Sequence, residues 1–272
     1  MSERAIGVFD SGIGGLTVVR ELVRALPNES IVYFGDTARV PYGSKSPETV
    51  MRYSEEAAAL LLAHEVKAIV IACNTATAFA GELLASRLAV PVVGVIDPGA
   101  RAAAAASVRK RVGVIGTLGT IRSGAYDLAV RRKLPNAQVF AQACPLFVPL
   151  VEEGWANHPA TRLVAEEYLA PLRAQDVDVL VLGCTHYPLL RDLIGAVMGP
   201  AVRLVDSAVE TAREVRQVLQ ASGMLRTGAS LPDYRFLASD SPLRFREVGQ
   251  LFVGELMEAV ERVDPEAYGR SA

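Results

Sequence analysis

Two short stretches of this chain read as copies of one another, and they set the plan for everything else. One is Ile69-Val70-Ile71-Ala72-Cys73-Asn74-Thr75; the other is Leu180-Val181-Leu182-Gly183-Cys184-Thr185-His186. Each opens as an apolar, partly β-branched run suited to a strand buried in a parallel sheet. Each then switches to a small residue, a cysteine and hydroxyl or amide side chains, with helix-like sequence behind it. Each cysteine is therefore expected at the carboxyl end of a strand, where a helix begins and where open α/β sheets hold ligands. A helix N-terminus favours negative charge, so a lowered thiol pKa is expected at both. Two such thiols, one from each half, predict a single site with two acid/base groups facing each other.

Other landmarks repeat in the same order. Gly113 lies 106 residues after Gly7, Phe140 lies 107 after Tyr33, Cys184 lies 111 after Cys73 and Asp206 lies 109 after Asp97. Strands are predicted at Ile6–Phe9, Ile31–Phe34, Ile69–Ala72 and Val92–Ile96, then again at Val112–Gly116, Val139–Ala141, Val177–Gly183 and Arg203–Val205. The fold class is thus α/β: two similar doubly wound parallel-sheet domains related by pseudo-two-fold symmetry, with the site between them. After Asp206 come a helix, a strand at Tyr234–Ala238 and a helix with Ser241 as N-cap and Pro242 at its first position. This tail has no counterpart in the middle, so it is expected to return to the first domain. The domains are then 1–97 plus 208–272, and 98–207.

Bulk properties narrow the class of protein. The chain has 272 residues, 51% of them hydrophobic, enough for a sizeable core. A net charge of -2 gives no footprint for nucleic acid or an anionic membrane. Three cysteines form no paired framework and fit a reduced cytoplasm. No leader pattern opens the sequence, and Pro, Gly or charge breaks every apolar stretch before membrane-spanning length.

Asp10-Ser11-Gly12-Ile13-Gly14-Gly15 follows a strand and opens a helix. Its amides are placed to hold a carboxylate or phosphate, although the turn lacks the dinucleotide fingerprint. Asp10 is suited to holding a substrate ammonium or orienting a thiol; a plain turn is the bland alternative. His186, two residues after Cys184, is a candidate proton partner. Cys73, Cys184 and His186 make a poor zinc set without a C-x-x-C pair or a second histidine, so no metal is expected. Thr37–Pro47 reads as a mobile loop in which Tyr42 and the Gly43 amide close over a small ligand. Cys144–Gly154 reads as an irregular loop, Cys144 as structural, and Glu152 and Glu153 as ordinary helix-start acids. Arg109–Arg111 and Arg131–Lys133 read as solvated faces.

Taken together, Phe9–Gly15, Pro41-Tyr42-Gly43, Ala72–Ala76 and Gly183–Leu189 resemble the glutamate racemases of the aspartate/glutamate racemase superfamily. The resemblance spans nearly the whole chain in the family's order. It implies that Cys73 and Cys184 are the acid/base thiols, that Asp10 assists Cys73 and His186 assists Cys184, and that Glu152 is a helper carboxylate. It further implies that Asp10, Ser11, Tyr42, Gly43, Asn74, Thr75, Thr185 and His186 hold a glutamate substrate. No cofactor is implied; the product is D-glutamate for peptidoglycan, and members are commonly homodimers in the cytoplasm.

The chemistry agrees with the residues. Inverting an α-carbon removes a proton from one face and returns one to the other, which needs two groups on opposite sides. No pyridoxal motif is evident to act as an electron sink, so amides and hydroxyls must stabilise the carbanion-like state. The alternatives are an aspartate or other amino-acid racemase, a cysteine-nucleophile hydrolase using Cys184 and His186, and a two-lobed amino-acid binding protein.

Overall fold

The apolar runs that flank the two cysteines form strands whose residues are all buried, Ala68–Ile71 and Val179–Gly183. They belong to two separate sheets in this computed structural model, which describes residues 2–228 and 230–269. The chain first runs β1 (Ile6–Asp10), α1 (Leu16–Ala25), β2 (Ile31–Gly35), α2 (Pro47–Ala63), β3 (Ala68–Ile71), α3 (Asn74–Arg87) and β4 (Val92–Gly94). It continues as α4 (Ile96–Ala106), β5 (Arg111–Gly116), α5 (Leu118–Arg122), α6 (Ala125–Lys133), β6 (Gln138–Ala143) and α7 (Phe147–Glu152). Next come α8 (Pro159–Ala174), β7 (Val179–Gly183), α9 (Arg191–Met198) and β8 (Arg203–Asp206). The last stretch is α10 (Ser207–Ala221), β9 (Tyr234–Ala238), α11 (Pro242–Val253), β10 (Glu261–Arg262) and α12 (Glu266–Gly269).

The first sheet has the order β10-β9-β2-β1-β3-β4 and the second β6-β5-β7-β8, with every pairing parallel. Strands β6-β5-β7-β8 repeat β2-β1-β3-β4 position for position, so the repeated landmarks correspond to a repeated topology. Strand β9 pairs with β2, so the tail does add to the first sheet. Register then builds the site: Phe9 stands opposite Ile71, which brings Asp10 and Cys73 to adjacent strand ends. Gly116 stands opposite Gly183 in the second sheet, next to Cys184.

Three local expectations need correction, and one short strand is new. The strand predicted over Val92–Ile96 stops at Gly94, and Ile96 begins α4. There the Val95 amide leaves the ladder and donates to Thr77 Oγ1 at 3.4 Å. The stretch Cys144–Gly154 is not irregular, because it contains α7. Pro149 is tolerated there since the first turn of a helix needs no intrahelical N–H donors. Ser241 precedes α11 but caps nothing: its backbone is left-handed at φ 47° and its side chain makes no cap bond. Strand β10 was not foreseen. Among the described residues no helix is long and apolar enough to cross a membrane.

Candidate active site

Cys73 leaves β3 and caps α3, its sulfur accepting from the Ala76 amide at 3.4 Å. Ser11 Oγ lies 3.7 Å from the same sulfur. Asp10 ends β1 and is 1% exposed. Its Oδ2 accepts from the Gly12 amide at 3.0 Å, while Oδ1 has no hydrogen-bond partner among the described residues. The turn thus spends an amide on its own aspartate. Gly15 is required by contact, since a Cβ there would sit 2.5 Å from Asp10 Cβ. The expected lowering of the thiol pKa is absent at Cys73. Burial pushes it up to about 12, with the Asp10 charge adding to the effect and the cap bond opposing it. Burial likewise raises the Asp10 carboxyl, against the pull of His186.

Cys184 is placed differently. No α-helix starts behind it; a 3₁₀ turn over Tyr187–Leu190 intervenes before α9, and the Tyr187 amide donates to the Cys184 carbonyl at 3.1 Å. His186 provides the charge instead. Its Nδ1 lies 3.9 Å from the Cys184 sulfur, and its Nε2 lies 2.9 Å from Glu152 Oε1. Burial works against a charged imidazole, but the Cys184 sulfur and the Glu152 carboxylate outweigh it and raise His186 to about 10. Glu152 is the last residue of α7, so it is not a helix-start acid. Its neighbour Glu153 turns outward to Arg244 at 3.2 Å.

Both thiols line one cavity of about 440 Å³, together with Ser11, Tyr42, Gly43, Asn74, Thr75, Thr117, Glu152, Thr185 and His186. Asn74 Oδ1 accepts from the Tyr126 phenol at 2.7 Å, which leaves its buried Nδ2 without a partner among the described residues. Thr75, Thr117 and Thr120 form a triangle of hydroxyls with sides of 2.9, 3.1 and 3.1 Å. Thr185 joins the halves through its carbonyl, which accepts from Thr17 Oγ1 at 3.0 Å.

The Tyr42 loop differs from expectation. It contains two 3₁₀ turns and is tied down by Asp36, whose Oδ2 accepts from the Tyr42 phenol at 2.5 Å and from Arg39 Nε at 2.7 Å. Ser239 from the tail donates to Asp36 Oδ1 at 2.8 Å. The Tyr42 ring is therefore a cleft wall with its hydroxyl already engaged. Gly43 packs against Thr117, where a Cβ would approach within 2.6 Å.

Asp36, Thr117, Thr120 and Tyr126 were missed by sequence reasoning. Thr117 was findable, because the 106-residue offset that carries Gly7 onto Gly113 also carries Ser11 onto Thr117. Two thiols on one cleft, one near Asp10 and the other beside His186, form an arrangement that could take a proton from one face of a small molecule and return one to the other.

Comparison with known proteins gives the family. The family model for Asp/Glu/hydantoin racemases matches residues 6–215. A glutamate racemase of Geobacter metallireducens is 54% identical, over 98% of this chain and 99% of the relative. The solved glutamate racemase isoform RacE1 of Bacillus anthracis superposes with a TM-score of 0.94 at 40% identity, covering 97% of this chain and 98% of that one. The Francisella tularensis glutamate racemase, solved in complex with D-glutamate, gives 0.92 at 42% identity, covering 98% and 100%. With these matches running nearly end to end, the chain belongs to the Asp/Glu/hydantoin racemase family and, within it, to the glutamate racemases.

Proposed function

We propose that this protein interconverts L- and D-glutamate without a cofactor, Cys73 and Cys184 exchanging the α-proton on opposite faces of the substrate. The observation that carries this is the convergence of both thiols on one small cleft, each with its own partner. Cys184 has the His186–Glu152 pair, and a charged imidazole at its side is the natural counterion of a thiolate. Cys73 is held as a thiol by burial, with Asp10 behind it. With these partners Cys184 is assigned to take a proton and Cys73 to give one. Family resemblance assigns this direction to L-glutamate.

The substrate carries two carboxylates, yet among the described residues neither lysine nor arginine lines the cleft. The His186 imidazole and uncharged donors are left to bind it: the free Asn74 Nδ2, Ser11, Thr185, the Gly43 amide, and Thr75 or Thr117 where its hydroxyl turns its proton from the triangle to the substrate. The same donors, fixed in advance by the threonine triangle and the Tyr126 bond, are suited to stabilising charge that develops on the α-carboxylate. The D-glutamate would supply peptidoglycan synthesis in the cytoplasm, and the working form would be a homodimer.

The test is chiral chromatography of purified protein with L-glutamate and no added cofactor. D-glutamate should accumulate toward an equal mixture. Cys73→Ala and Cys184→Ala should each abolish it, since every turnover needs both a base and an acid, whereas Cys144→Ala should remain active. Faster turnover of aspartate, or sustained racemisation by either alanine variant, would overturn the assignment.

A further inference from the structure

His186 has an exacting task if it serves Cys184. One ring nitrogen must face the thiol while the other faces Glu152. The torsion that sets this, χ2 of histidine, is broad and roughly two-fold by itself. The contacts to its nitrogens fix it only in part: Glu152 holds Nε2 at 2.9 Å from a side chain that is one-third exposed, and the sulfur is 3.9 Å from Nδ1. Packing must supply the rest of the constraint.

Two neighbours provide it. Gly14, at the start of α1, closes over the Cε1–Nδ1 edge so tightly that a Cβ there would come within 2.4 Å of both atoms. The second neighbour comes from the tail. Phe252, in the last turn of α11, stands at 89° to the imidazole with ring centroids 5.9 Å apart. Phe252 is 2% exposed, so its own position is set by the core. That core is firm here: Phe245 on the same helix packs on Tyr33, and Gly249 meets Leu16 and Met257. Helix α11 packs on α1, yet its aromatic side chain reaches a histidine carried by the second sheet.

We propose that Phe252 is a positioning residue for His186, so that the returning tail sets the geometry of the Cys184 proton partner. The partners of the Cys73 side chain, Ser11 and the Ala76 amide, both lie outside the tail. Loss of the Phe252 ring should therefore impair the Cys184 step and spare the Cys73 step. This rests on the reading that His186 serves Cys184 in glutamate racemisation.

The experiment measures the α-deuterium isotope effect on kcat/KM, starting from each enantiomer, in wild type, Phe252→Leu, Phe252→Met and His186→Asn. Methionine fills the site with an adaptable chain and no flat ring, which guards against a folding failure in the leucine variant. A slower Cys184 step exposes the isotope effect on L-glutamate and masks that on D-glutamate. The expected result is a rise for L and a fall for D in both Phe252 variants, in the same sense as His186→Asn, with kcat reduced about tenfold as for a sub-ångström misplacement. Equal slowing from both enantiomers with both isotope effects unchanged overturns the positioning role and leaves the two-thiol reading standing. If His186→Asn also leaves the two isotope effects unchanged, the pairing of His186 with Cys184 falls, and the role of Phe252 falls with it.

Discussion

Gly14→Ala is the smallest change that reaches the Cys184 arm. The backbone of Gly14 is not left-handed, so alanine brings no conformational strain and the cost is contact alone. The added methyl would lie 2.3 Å from Thr185 Oγ1 and 2.4 Å from His186 Cε1 and Nδ1. Carbon atoms pack at roughly 3.5–4.0 Å, so something must move by about 1 Å. If the imidazole yields, it leaves both Cys184 and Glu152. If α1 yields, the Thr17–Thr185 bond that joins the halves is lost. Either movement displaces the proton partner, and a 1 Å misplacement costs about 100-fold in rate, or ~2.7 kcal/mol in the barrier. Overpacking would lower stability by about 1–3 kcal/mol, not enough by itself to unfold a typical domain. The assay is steady-state kinetics from each enantiomer alongside a thermal melt. The kcat/KM values from L and D must remain equal to one another, because enantiomers have equal free energy, and this checks the data internally. Gly15→Ala is the matched control, since its methyl strikes Asp10 Cβ at 2.5 Å and so disturbs the Cys73 arm. A folded Gly14→Ala protein within about threefold of wild-type kcat would refute the tight-packing argument for His186.

Two further outcomes follow from groups outside the thiol pair and from pH. Lys67 is fully buried against Glu29 and donates to the Ser2 and Met224 carbonyls at 2.6 and 2.9 Å, tying the N-terminus to the segment that leads into β9. Lys67→Met should cost about 3–5 kcal/mol in denaturant unfolding by leaving Glu29 unpaired, and adding Glu29→Leu should recover part of it; a single-variant loss under about 1 kcal/mol would contradict this. His186 has its pKa raised from 6.5 to about 10, so the folded state holds the extra proton between those values. Its stabilising contribution is complete below pH 6.5 and is lost as pH rises through 10. The direct check is the nitrogen NMR spectrum of His186 in the folded protein at about pH 8, where the imidazole should still carry both ring protons while a free histidine is neutral; a neutral ring there would rule out the charged imidazole.

Sequence patterns located the strand ends well because that signal is local. Buried parallel strands are apolar throughout, so Cys73 and Cys184 stand out where each run stops, and Asp10 follows by pairing of β1 with β3. Local signal is also why the rest went wrong. Prolines 145 and 149 suggested a loop, yet α7 absorbs Pro149 in its first turn and delivers Glu152 from its last residue. Nothing within 30 residues of Glu152 announces His186, and nothing near Phe252 announces either. Tyr42 stands in a Pro- and Gly-containing segment that reads as a mobile loop, and nothing local shows that its hydroxyl bonds Asp36 or that Ser239 of the tail bonds the same carboxylate.

The duplication itself hid the largest departure. Two copies of one strand–cysteine pattern suggested two thiols activated in the same way by helix ends. Cys73 does cap a helix of 14 residues, but a few partial charges from amides do not offset complete burial. Cys184 has no such helix and relies on a charged histidine held by a carboxylate. The two cysteines thus have unlike partners, a helix end with the buried Asp10 for one and the His186–Glu152 pair for the other. In the proposed mechanism this inequality is permitted. Equal energies of L- and D-glutamate fix the ratio of the two kcat/KM values at one, whatever the arms contain. They leave kcat and KM in each direction free to differ. A site whose two thiols have unlike partners need not bind and turn over the two enantiomers alike. The asymmetry should therefore appear as unequal kcat values balanced by unequal KM values, a pattern that two copies of one motif would never suggest.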